Sequence, residues 1–144
     1  MYHFKYGRWD QLQQDAKLIR TQVFIVEQQI PEAEEWDDHD AISQHFVIYD
    51  QDQPIATARL LQNHSVGRVA VVKAYRGQGI GRMIMLKIIA YAQQQARPHL
   101  QLSSQIHAVS FYQQLGFIVQ GDEYDECGIP HIEMTMSLDQ QVES

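Results

Sequence analysis

Apolar and polar residues alternate at the start of the chain. Tyr2, Phe4 and Tyr6 are separated by His3 and Lys5, the two-residue period of a short strand. The period then lengthens: Leu12, Ala16, Ile19 and Val23 fall on one face of a helix that Asp10 can cap. Phe24-Ile25-Val26 is apolar throughout, and Pro31 soon interrupts any helix. Glu32 to Asp40 reads as an acidic loop or short helix around Trp36. Strands follow. His45 to Tyr49 is rich in β-formers, Asp50 to Gln53 is polar turn material, and Pro54 can open a strand from Ile55 to Leu61. Arg68 to Val72 is apolar at consecutive positions, as in a strand covered on both faces. A helix is predicted from about Gly79, with Ile80, Ile84, Ile88 and Tyr91 at helical spacing, ending near Gln93-Gln94-Gln95 ahead of Pro98. His99 to Leu102 is a short strand and Ile106 to Leu115 a helix stopped at Gly116. Phe117 to Val119 and Ile132 to Leu138 form a closing antiparallel pair. Strands and helices interleave around one sheet, so the class is α/β (α+β) with a mixed sheet.

The 144 residues suit one domain, 1–144, and leave little room for a second core. At 44% hydrophobic, the composition is that of a soluble globular protein. A net charge of −7 argues against general nucleic-acid or anionic-membrane binding. The N-terminus lacks a signal-peptide stretch, and Arg82 and Lys87 interrupt the most apolar region, so the cytoplasm is the expected location. A single cysteine, Cys127, makes no internal disulfide, and the seven histidines show no metal-ligand spacing, so no metal is expected.

The layout of charge says more than its total. From Gln53 to Gly121 there is no Asp or Glu, but seven basic residues: Arg59, Arg68, Lys73, Arg76, Arg82, Lys87 and Arg97. All eighteen acidic residues lie outside that stretch. Such a chain has a middle that can receive an anion and flanks that can receive a cation.

Within that middle, Val69 to Val72 run into Arg76-Gly77-Gln78-Gly79-Ile80-Gly81-Arg82, which reads strand, loop, helix N-terminus. Glycines remove the Cβ atoms that hold a ligand away from the backbone. The first N–H groups of a helix lack internal partners and, with the helix dipole, make an anion site. Arg76 and Arg82 add charge-assisted donors. A P-loop fails here, because Gly81 is followed by Arg82-Met83. A dinucleotide fingerprint fails, because it needs Gly where Arg82 stands. The spacing that fits is R-x-x-G-x-G, in Arg76, Gly79 and Gly81.

That loop resembles the acetyl-CoA pyrophosphate loop of the GNAT superfamily of N-acetyltransferases. Gln105 to Phe117 resembles the superfamily's late helix, with the A-x-x-F-Y-x-x-x-G-F core in Ala108, Phe111, Tyr112, Gly116 and Phe117. The family often has Asn where this chain has Gln105. The segments Val23 to Gln28, Trp36 to Asp40 and Gly128 to Met134 are similar to the ElaA-type branch.

The resemblance implies a single GNAT-like domain whose central sheet splays apart to admit the pantetheine arm of acetyl-CoA, the acyl donor. It places cofactor contacts at Val69, Val71, Val72, Arg76, Gly77, Gln78, Gly79, Ile80, Gly81, Arg82, Gln105, Phe111 and Tyr112. Backbone groups of Val71 and Val72 would bond the arm and polarise the acetyl carbonyl. Tyr112 matches the family's general acid, and an unperturbed tyrosine near ~10 is protonated at neutral pH. For the base, Glu27 follows a long apolar stretch, where part burial would raise its pKa. Glu133 and His131 alternate on the last strand and share a face. Acidic neighbours of Cys127 suppress its thiolate, which favours direct attack by the amine over an acyl-enzyme. The implied activity is N-acetylation of a primary amine, with Glu27 and Glu32 to Asp40 pointing to a cationic acceptor. A non-catalytic acyl-CoA-binding module and a transferase for longer acyl groups are the alternatives. A homodimer through the last strands is compatible with this pattern.

Overall fold

The structure is a computed structural model that describes residues 1–138. One seven-stranded sheet organises it: β1 (Tyr2–Gly7), β2 (Gln44–Asp50), β3 (Gln53–Leu60), β4 (Ser65–Val71), β5 (His99–Gln105), β6 (Ile118–Glu126) and β7 (Ile129–Ser137). The order across the sheet is β1-β2-β3-β4-β5-β7-β6. Neighbours are antiparallel except β4 and β5, which run parallel and pair only at Ser65–Gln101 and Val66–Leu102. Beyond Val66 the two middle strands part, which is the splay the resemblance implied.

Among the described residues four α-helices accompany the sheet: α1 (Trp9–Arg20), α2 (Glu32–Glu35), α3 (Ile80–Gln94) and α4 (Val109–Leu115). On β2, His45 meets Trp9 of α1 with ring centroids 4.6 Å apart, and the next residue, Phe46, meets Tyr91 of α3 at 5.4 Å. Successive strand residues point to opposite faces, so α1 and α3 cover opposite faces. Between them, Phe46, Ile48, Ile55, Ile84, Ile88 and Leu100 are fully buried. Each such side chain contributes roughly 1.5–3 kcal/mol of burial.

Four local expectations are corrected. Asp10 lies inside the first turn of α1. Its N-cap is Arg8, whose N–H donates to the Gln11 side chain at 2.9 Å. The helix also continues past Arg20 as a wider π-helical segment, Thr21–Glu27, with Gln28 N–H reaching back to the Val23 carbonyl at 3.1 Å. Third, β4 is not covered on both faces: Val69 and Val71 are only half-buried, because one face opens on a cleft. The closing hairpin is longer than the apolar run at 117–119, since the acidic residues to Glu126 pair as an exposed edge strand.

Candidate active site

The cleft between the parted strands encloses about 1080 Å³. Its floor is β4. The N–H of Val72 donates to the Ile55 carbonyl of β3 at 3.0 Å. Alternation along the strand then turns the main-chain groups of Val69 and Val71 away from β3 and into the gap. Opposite Ala58 of β3 the register slips at Arg68, a non-glycine residue with φ of 52°, which makes a bulge and sets that parity. Val72 is thereby corrected: its amide is committed to the sheet and its side chain is core. Val69 and Val71 line the cleft.

The glycine turn closes one end. Gly77 and Gly79 have φ of 79° and 81°, and a Cβ built on either meets nothing within 4 Å. Both conformations favour glycine, and the space beside them is open. Gly79 is the N-cap of the fifteen-residue α3, so the leading amides of the helix face that space. Gly81 differs: its Cβ would stand 3.4 Å from Phe111, so it is the contact point between α3 and α4. Ile80 buries its side chain in the core, and Gln78 turns outward to accept from the Tyr2 hydroxyl at 3.0 Å. Arg82 is exposed and makes no ion pair among the described residues. An open turn of bare amides beside an uncommitted arginine fits a diphosphate group.

Tyr112 reaches the cleft from α4 and packs edge-on against Phe111 and Phe117. It is 9% exposed, and its hydroxyl has no partner among the described residues. Desolvation alone pushes its pKa up to about 12, so the proton stays on at neutral pH. Gln105 lines the cleft and donates its amide to the Gln28 side chain at 3.0 Å. His131 also lines it, with Nδ1 2.7 Å from the Ile129 carbonyl. A carbonyl only accepts, so Nδ1 carries a proton, and in the neutral ring Nε2 is the acceptor. Glu133 shares that strand face, but it is exposed, lies outside the cleft lining and accepts from the Tyr124 hydroxyl at 2.9 Å.

Glu27 lines the cleft in a state opposite to the expected one. Its side chain is 35% exposed, and hydrogen bonds from Arg76 hold its pKa below the usual carboxylate value against the opposing effect of burial. The thiol of Cys127 donates to Glu34 at 2.7 Å, and that bond, with the nearby acids, pushes the thiol up. Little thiolate forms there, as the acidic flank led one to expect.

The acidic segment is largely structural. Fully buried Arg20 donates to Glu35 at 2.8 Å and to Asp40 at 2.8 Å, while Arg59 grips Asp37 at 2.7 Å and Asp40 at 2.8 Å. Arg68 joins at Glu35, 3.1 Å away. Trp36 lies over the Arg20 guanidinium at 5.0 Å. Two of the seven acid-free basic residues, Arg59 and Arg68, are therefore spent inside the protein. This network fixes α2 to the sheet, and Glu34 and Glu35 form one wall of the cleft. Gln28 was not anticipated as a cleft residue, because nothing in its neighbours distinguishes it from a surface polar residue, whereas Glu34 belongs to the acidic segment expected to attract a cationic acceptor.

The profile of the acetyltransferase (GNAT) domain matches residues 11–138. The chain belongs to the GNAT acetyltransferase family. It is 33% identical to the YyaT protein of Bacillus subtilis, over 89% of this chain and 90% of that one. It is 34% identical to the ElaA protein of Escherichia coli, over 83% and 84%. The crystal structure of an acyl-CoA N-acyltransferase from Pseudomonas aeruginosa superposes with a TM-score of 0.87 at 29% identity, covering 95% of this chain and all of that one. The GNAT fold, with one mixed sheet flanked by helices and parted between β4 and β5, is thus that of this protein.

Proposed function

We propose that this GNAT protein transfers an acetyl group from acetyl-CoA to a primary amine, by direct attack in a ternary complex. One observation carries the reading: the main-chain groups of Val69 and Val71, the open turn at Gly77 and Gly79 and the unpartnered Tyr112 hydroxyl all meet in one cleft. Acetyl-CoA supplies an activated thioester. Gly77, Gly79, Gly81 and Arg82 hold its diphosphate, and the β4 amides stabilise the oxyanion as the carbonyl is attacked. Tyr112 gives its proton to the departing sulfur. The amine must lose a proton to attack, and Glu27 or His131, both in the cleft, can take it directly or through a water. Glu27 and Glu34 on the same wall favour a cationic acceptor.

A binding module without catalysis would have no use for a proton-bearing hydroxyl, unpartnered among the described residues, on a side chain that lines the cleft. Tyr112 therefore favours the enzyme. The test is a thermal-shift screen with CoA and acyl-CoAs, followed by polyamines, aminoglycosides, amino acids and peptides monitored for free thiol. Stabilisation by CoA with thiol release on an amine is expected. Stabilisation with no thiol release from any amine would leave the binding module.

A further inference from the structure

Arg76 is tied to two cleft groups at once. Its Nε donates to the Val71 carbonyl at 2.9 Å, and its terminal nitrogens reach the two Glu27 oxygens at 2.5 and 2.6 Å. The partners lie 49 residues apart, so the guanidinium spans from the turn after β4 to the end of the π-helical segment. Both partners belong to the proposed site. Val71 faces the gap that would receive the carrier's amide arm, and Glu27 is a carboxylate available to the amine. Arg76 occupies both Glu27 oxygens and one lone pair of the Val71 carbonyl, so each is less free to meet a ligand while the pair stands. The pair is exposed at 40% and 35%, which makes it weak. A guanidinium fork matches phosphate oxygens as well as it matches a carboxylate, and a diphosphate carries more charge. Gly77, where the diphosphate would lie, is the very next residue. The carboxylates of α2 on that wall make no pair with Arg76: Glu34 accepts from the Cys127 thiol, and Glu35 is held by Arg20 and Arg68.

We propose that the Arg76–Glu27 pair is a bolt across the carrier site. Arg76 exchanges Glu27 and the Val71 carbonyl for the carrier's diphosphate, and so releases both for the reaction. The inference rests on the acyl-carrier reading above. Its consequence is an order of events: Glu27 becomes available to the amine only once Arg76 has turned to the donor.

The test is calorimetry with CoA on the full chain in four forms: wild type, Glu27→Gln, Arg76→Ala and the double variant, with Glu27→Ser as a second release variant. Thermal unfolding confirms that each is folded. Glu27→Gln and Glu27→Ser should bind CoA about two- to five-fold more tightly, since an exposed pair no longer has to be broken. In the Arg76→Ala background the same change should have no effect. Equal tightening in both backgrounds would reduce Glu27 to a plain repulsive charge, and no tightening in either would remove the bolt. No heat with CoA from the wild type is a separate failure, and it would take the acyl-carrier reading with it.

Discussion

A phenol set among apolar side chains holds its proton tightly, because the phenolate would lose its hydration. Tyr112 is such a group, and its surroundings keep it in the acid form until about pH 12. Tyr112→Phe removes one oxygen and leaves the ring packed against Phe111 and Phe117. Its kcat should fall by roughly a hundredfold or more, the scale of a lost general acid, while CoA still produces its full thermal shift. The deficit should stay constant between pH 7 and 9, because that window lies well below the tyrosine's titration. A CoA shift that disappears along with kcat would make Tyr112 a packing residue. The motif around Tyr112 made this residue legible in the sequence. The state of Glu27 was not legible, because its pKa is set by Arg76, and no local pattern links positions 27 and 76.

The same division between local and long-range information holds for the elements. The glycine turn and α3 were readable because both arise from neighbouring residues: two positive-φ positions followed by helical spacing. Alanine at Gly79 would have to adopt φ of 81° with open space around its methyl group, so its cost is conformational. Gly79→Ala should lower stability by about 1 kcal/mol in urea unfolding and, on the proposed reading, weaken CoA binding at least tenfold in calorimetry, since the methyl group would stand where phosphate oxygens are proposed to approach the amides. A loss of stability with CoA affinity intact would show that the turn does not seat the diphosphate. The parity of β4 was hidden. Four consecutive valines and alanines look alike, and the bulge at Arg68, which decides that Val71 and not Val72 faces the gap, exists only because β3 lies alongside. The true ends of β6 were hidden too, since its pairing with β7 holds polar residues in a strand that their own preferences would not form.

At the scale of the whole molecule, the cleft keeps its shape because the acidic wall is bolted to the sheet through buried ion pairs. Removing one member strands the others: Asp40 accepts from both Arg20 and Arg59, and Asp40→Asn should cost about 3–5 kcal/mol in urea unfolding. Acid tests the same network without mutation. Hydrogen bonds from Arg59, offset in part by burial, push Asp37 down to about 2 from its ordinary 3.8. Its folded value lies below its unfolded one, so its contribution is complete above about pH 4 and is lost as pH falls towards 2. Glu35 has the opposite sign. Burial raises its pKa against Arg68 and Arg20, so protonation of Glu35 does not account for a loss confined to lower pH. Urea midpoints between pH 6 and 2.5 should therefore fall in the wild type. Asp37→Asn should begin lower and fall less, the two curves converging at the acid end. Curves that stay parallel through that window would mean that Asp37 keeps its proton equilibrium unchanged on folding, and that the Arg59 pair does not anchor the wall of the cleft.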